Sequence, residues 1–198
     1  MGLRMGMKGA VWAGLLSLSG CAGRTAFTRG EYADPAAKEL LSDRFNASDL
    51  HLLSDRAAAS LLGAKLGTPR PTLVVGRWEN RTHEHVDVSA LQDAVVVQLQ
   101  RSGQLQVLDR AARTELAEEY DYQASGYVVA LEAKAPGEQA SADYLLTGEL
   151  TSLVEEVGTD KVVYYRLTTK LTQVRTGLLE WSDQQELRKK FERQWVGL

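Results

Sequence analysis

Apolar residues first recur at a helical period where Leu50, Leu53, Ala57 and Leu61 fall on one face, spaced i, i+3, i+7 and i+11. Asn46 or Ser48 can cap the free amides of that first turn, and Gly63 closes the helix. After Pro69 and Pro71, the apolar run from Thr72 to Trp78 predicts a short buried strand. A second helical stripe, Val88, Leu91, Val95 and Leu99, begins at a capping box, Ser89-Ala90-Leu91-Gln92, and stops at Ser102-Gly103. Leu105 to Leu108 predicts a brief strand. Asp109 predicts the cap of a third helix, with Leu116 and Tyr120 inward and Glu115, Glu118 and Glu119 in water.

From Ala140 the period falls to two. Tyr144 to Leu150 predicts one strand, and Val163, Tyr165, Leu167, Thr169 and Leu171 alternate with Tyr164, Arg166, Thr168 and Lys170 in another. Gly158-Thr159-Asp160-Lys161 supplies the hairpin turn between them. A turn at Arg175-Thr176-Gly177 precedes a last strand at Leu178 to Trp181. Helices therefore come first and adjacent strands last, which predicts an α/β fold: a mixed, mostly antiparallel sheet flanked by helices, in a single domain over residues 34–198.

The N-terminus obeys another pattern. Arg4 and Lys8 precede an uncharged stretch from Gly9 to Leu18, the charged flank and short apolar core of a signal peptide over residues 1–20. A permanent bilayer-spanning helix needs about 20 apolar residues, more than this stretch offers. Leu18-Ser19-Gly20-Cys21 looks like a bacterial lipobox, so the single cysteine, Cys21, is expected to carry lipid and to hold the chain on a membrane. Ala22, rather than Asp, after that cysteine resembles lipoproteins exported to the outer membrane. Residues 21–33 then form a lipidated N-terminus and short tether without apolar period.

Charge narrows the function. The formal net charge is -3. Removal of residues 1–20, which contain Arg4 and Lys8, leaves 21 basic and 26 acidic side chains. That balance argues against nucleic acid as a partner, because a phosphate-binding surface needs a basic excess. No phosphate-cradling glycine loop, nucleophile elbow or H-E-x-x-H motif occurs, so no catalytic residue and no cofactor are expected. His83 and His85, with Glu84 between them and Asp87 beyond, are the one cluster with metal-like spacing, but without a placed third ligand they read as a hydrogen-bonded or solvated loop. Arg188 to Arg193 reads as a basic, solvated run. Trp78 and Trp181 read as core residues, and Trp195 as exposed in a polar tail.

Taken in order, several stretches resemble the LpoB family of outer-membrane lipoproteins that activate class A penicillin-binding proteins. They are Phe45 to Leu50, Val74 to Asp87, Arg101-Ser102-Gly103 with Val107 to Arg110, Glu118 to Gln123, Ala142 to Gly148, and Gly177 to Trp181. The most specific is Gly76-Arg77-Trp78-Glu79-Asn80-Arg81-Thr82-His83-Glu84-His85-Val86-Asp87. The resemblance implies a domain similar to the N-terminal domain of TolB, anchored through Cys21 to the periplasmic face of the outer membrane. It also implies a class A penicillin-binding protein as partner, bound and activated without catalysis by this chain. Asn80, Arg81, Thr82, His83 and His85, in the loop after the first strand, are the expected contact residues, since loops carry recognition on rigid scaffolds. Better-known members have a long proline-rich tether, whereas this one is short and has no proline before Pro35. The alternative is a periplasmic component of a CsgG-type secretion or assembly system. Barrel strands of about 9–11 residues would then be required, and only Val162 to Val174 has that length.

Overall fold

The computed structural model describes Asp34, Leu40 and residues 42–134 and 136–193. The predicted signal peptide, Cys21, the tether through Ala33, and Trp195 lie outside the described residues.

Helix α1 spans Ala47–Leu62 and starts at Asn46. The Asn46 side chain accepts from the Asp49 amide at 3.1 Å while the Asp49 carboxylate accepts from the Asn46 amide at 3.0 Å, so two otherwise unsatisfied N–H groups are paired reciprocally. Leu53, Ala57, Ala58 and Leu61 are buried and Leu50 only half-buried, so the stripe sits slightly round from the predicted one. Strand β1 is Thr72–Arg81, three residues longer than expected. Helix α2, Val88–Arg101, is capped by Asp87 and not by Ser89: the Asp87 Oδ1 accepts from the Ser89 and Ala90 amides at 2.9 and 3.3 Å. Ser89 itself already lies inside the first turn.

Strand β2, Gln106–Leu108, is short. Helix α3, Arg113–Tyr122, corrects the sequence reading in two respects. Asp109 accepts from the Ala111 and Ala112 amides at 2.9 and 3.2 Å, organising the turn ahead of the helix, which itself begins without a side-chain cap. No α3 residue is buried, and Leu116 is 40% exposed, because the helix lies on no apolar face of the domain. A wide turn, Gln123–Tyr127, follows, its helical backbone broken at Gly126 by a φ of +92°.

Strands β3, Tyr144–Val157, β4, Asp160–Gln173, and β5, Leu179–Glu192, are each 14 residues long. The sequence pattern predicts only one strand near that length, Val162 to Val174. Past Leu150 neither face of β3 is buried, so alternation disappears from the sequence. The backbone ladder nonetheless continues to Val157 opposite Asp160. Gly158, with φ of +63°, makes the tight turn that a residue with a Cβ would strain.

The five strands lie in the order β2-β1-β3-β4-β5. β1 is parallel to β2 and β3, while β4 is antiparallel to both β3 and β5. The sheet is mixed, with long antiparallel pairings on one side and parallel ones on the other, as expected. α1 packs on β4, β5 and α2, and α2 on β1 and β2, burying one face of the sheet. Leu53, Leu91, Leu99, Leu146, Leu150, Tyr165, Leu167 and Leu171 make that core, and Trp78 belongs to it. A Cβ on Gly148 would come within 2.5 Å of the Trp78 ring, so only glycine lets the indole lie against β3. Trp181 is partly buried against the same core.

Candidate functional site

Asn80 and Arg81, expected in the loop after the first strand, are the last two residues of β1, paired with Leu150 and Thr151, because the backbone ladder with β3 runs on past Trp78. The loop that follows is shaped by polar side chains from both segments. The Asn80 side-chain Nδ2 donates to the Glu84 carbonyl at 2.8 Å and to the Val86 carbonyl at 3.3 Å. The Asn80 Oδ1 in turn accepts from the Thr82 amide at 3.0 Å and the Thr82 hydroxyl at 2.8 Å. The Thr82 Oγ1 also accepts from the Glu84 amide at 3.1 Å. Asn80 and Thr82 thus fold the loop back on itself, as short polar side chains in turns do.

That closure sends the alternate residues outward. Arg81, His83 and His85 are exposed. Arg81 makes one surface ion pair, to Glu149 at 3.3 Å, with both side chains more than a third exposed; such pairs hold a side chain only weakly. Neither histidine has a hydrogen-bond partner among the described residues. No group of three His, Cys, Asp or Glu side chains is placed to hold a metal among those residues either.

Glu84 points the other way. One of its oxygens accepts from the Phe45 amide at 3.0 Å, and the other from the Tyr165 hydroxyl. Tyr165 lies fully buried on β4, its hydroxyl 3.2 Å from the Asp43 carbonyl and its ring edge-on to Phe45 at 5.3 Å between centroids. Burial, and then the Glu84 carboxylate, push the Tyr165 hydroxyl well above its ordinary pKa, so it stays a neutral donor. Lys189 of β5 completes the cluster. Its ammonium donates to Asp49 Oδ2 at 2.6 Å and to the Arg44 carbonyl at 2.7 Å, and stands 5.4 Å from the centre of the Tyr165 ring. Nearer the surface, Lys161 meets Asp43 at 2.7 Å, which lowers the Asp43 carboxyl pKa and raises that of the ammonium. The segment Asp43 to Asn46 is therefore fastened to β4, to β5 and to the loop after β1 at once.

Sequence reasoning missed this cluster. Lys189 is only 5% exposed, not part of a solvated run, because its aliphatic stem lies on the core face of β5 while its charge finds Asp49. The signal available was a period of two, with Leu187, Lys189 and Phe191 on one face and Arg188 and Lys190 on the other. Glu84 was passed over between two histidines, although it is the residue that joins the loop to the fold.

A family model described as peptidoglycan-synthase activator LpoB matches residues 45–187. Among solved structures, the LpoB C-terminal domain from Escherichia coli is similar at 16% identity, over 70% of this chain and 98% of that one, with a TM-score of 0.46. The corresponding domain from Salmonella enterica matches at 14% identity, over 71% of this chain and 99% of that one, with a TM-score of 0.45. Lipoprotein GNA1162 from Neisseria meningitidis matches at 15% identity over 64% and 88%, with a TM-score of 0.41. A search of curated proteins finds no match.

Proposed function

Because the chain belongs to the LpoB family, the peptidoglycan-synthase activators, we propose that it binds a class A penicillin-binding protein in the periplasm and raises its glycan-polymerising and cross-linking activities, without catalysing a reaction itself. The observation that carries this reading is the family match, which spans α1 through most of β5. The loop geometry supports a contact surface at Arg81, His83 and His85, with Asn80 and Thr82 holding those three outward. Apart from the exposed Arg81–Glu149 ion pair, no side-chain bond among the described residues uses them: they project from the end of β1 and the loop after it, whose internal bonds are made by their neighbours. In this reading residues 1–20 are a signal peptide, Cys21 carries the lipid, residues 21–33 are the tether and residues 34–198 the working domain. The protein would sit on the periplasmic face of the outer membrane. No helix of the described residues is long and apolar enough to cross a bilayer.

The test uses the full-length lipidated chain in detergent with a purified class A synthase of the same cell. Glycan polymerisation should rise on addition of the chain, and the chain alone should leave peptidoglycan unchanged. Arg81→Glu should weaken binding by well over the roughly 0.5 kcal/mol of a neutral surface site, while Arg81→Ala, which avoids a new carboxylate beside Glu149, leaves the melting temperature unchanged. Cys21→Ala should abolish acyl labelling. Failure of the wild-type chain to bind or stimulate any such synthase would overturn the reading.

A further inference from the structure

The crossover between β2 and β3 contains an ordered arm that buries nothing. Along it Leu116, Tyr122, Tyr127, Val129 and Leu131 are exposed, Tyr127 at 80% and Leu131 at 96%. Large apolar side chains so close in sequence and so open to water mark an interaction surface more often than a scatter of single ones does. The arm is nevertheless built. Tyr122 and Tyr127 stack at 5.6 Å with 14° between their planes, across a turn that Gly126 permits with a φ of +92°. Gln123 donates to Glu119 at 2.7 Å and accepts from the Lys134 amide at 2.6 Å. Gln139 donates to the Tyr120 hydroxyl at 3.1 Å. Polar bonds thus organise the arm in advance and leave its apolar side chains outward, which lowers the ordering cost that docking would otherwise carry.

Charge decides the occupant. Between Arg113 and Glu138 the sequence has six acidic side chains, Glu115, Glu118, Glu119, Asp121, Glu132 and Glu138, against Arg113 and Lys134. An anionic lipid surface would repel this arm, and so would the same arm of a second copy in a two-fold contact. A protein surface with cationic side chains around an apolar seat would attract it and then bury it. We propose that the Arg113–Leu131 arm docks on such a basic, apolar surface of the synthase, as a second contact besides the loop after β1; this rests on the function proposed above.

The test titrates full-length lipidated chains against the same synthase at two salt concentrations. Tyr127→Ser with Leu131→Ser should weaken binding about tenfold or more, whereas Tyr127→Phe should bind like the wild type. Glu115→Lys with Glu118→Lys, which leaves the Glu119–Gln123 bond intact, should slow association and flatten its salt dependence. All should melt with the wild type, because none of these side chains is buried. Wild-type binding that persists within about twofold in both double variants overturns the docking assignment alone, as does a marked fall in melting temperature. Sedimentation showing self-association that Tyr127→Ser with Leu131→Ser abolishes gives the seat to a second copy and also overturns it. If the wild type binds no synthase, the proposed function falls first, and this assignment with it.

Discussion

In β4, Val163, Tyr165, Leu167, Thr169 and Leu171 are all buried, whereas the crossover from β2 to β3 buries none of Leu116, Tyr122, Tyr127, Val129 or Leu131. Both stretches are about equally rich in apolar side chains. The difference is what each lies against: β4 is central to three paired strands under α1, while the crossover is held by hydrogen bonds among its own side chains. Apolar content therefore does not identify the core here; the period at which it recurs does. A substitution in β4 or its neighbours should act on folding, and one in the crossover on recognition.

The sharpest challenge to that division is the buried pair across α1 and β5. Lys189→Met would leave the Asp49 carboxylate buried without its cation, and should lower stability by about 3–5 kcal/mol in urea denaturation. Adding Asp49→Asn should recover part of that loss, since an amide tolerates the site better than an unpaired charge. Gly148→Ala should cost about 1–3 kcal/mol by the same measurement, because the added methyl meets the Trp78 ring. Tyr165→Phe should cost about 0.5–1.5 kcal/mol at neutral pH, through the hydroxyl's bonds to Glu84 and Asp43.

The hydroxyl's raised pKa also fixes a sign with pH. Its contribution is complete below the unfolded tyrosine value of about 10 and falls as pH rises above it, so wild-type stability should decline in alkali along a limb that Tyr165→Phe lacks. Smallest of all, Leu131→Ser should change stability by no more than about 0.5 kcal/mol, and a larger loss in thermal melts would place the arm with the core.

The fold was legible where burial imposes a period. The alternation in β4 and the stripe of α2 identify their inward faces, and of the two caps the sequence offers for α1, Asn46 and Ser48, the fold uses Asn46. Reading failed where backbone pairing continues without burial, as in β3 beyond Leu150, and where a charge is buried with a partner distant in sequence, as Lys189 is with Asp49. It also failed in α3, where Leu116 and Tyr120 were assigned inward on helical spacing alone; nothing local says whether an apolar face will find a surface to cover it. At the candidate site, the outward residues Arg81, His83 and His85 were named from sequence. The inward role of Glu84 depends on contacts from Phe45 and Tyr165, which only the folded chain brings near.

The fastening of Asp43 to Asn46 also has a mechanical meaning. Tension on the chain ahead of Ser42 enters the domain at bonds made by Lys161, Tyr165, Lys189 and Glu84, before it reaches the first turn of α1. Those bonds come from two strands and a loop, so a pull is divided among three elements of the sheet rather than peeling one helix from its end. If, as proposed above, the domain is held through residues ahead of Ser42, the load would enter through these three elements and not through the first turn of α1 alone.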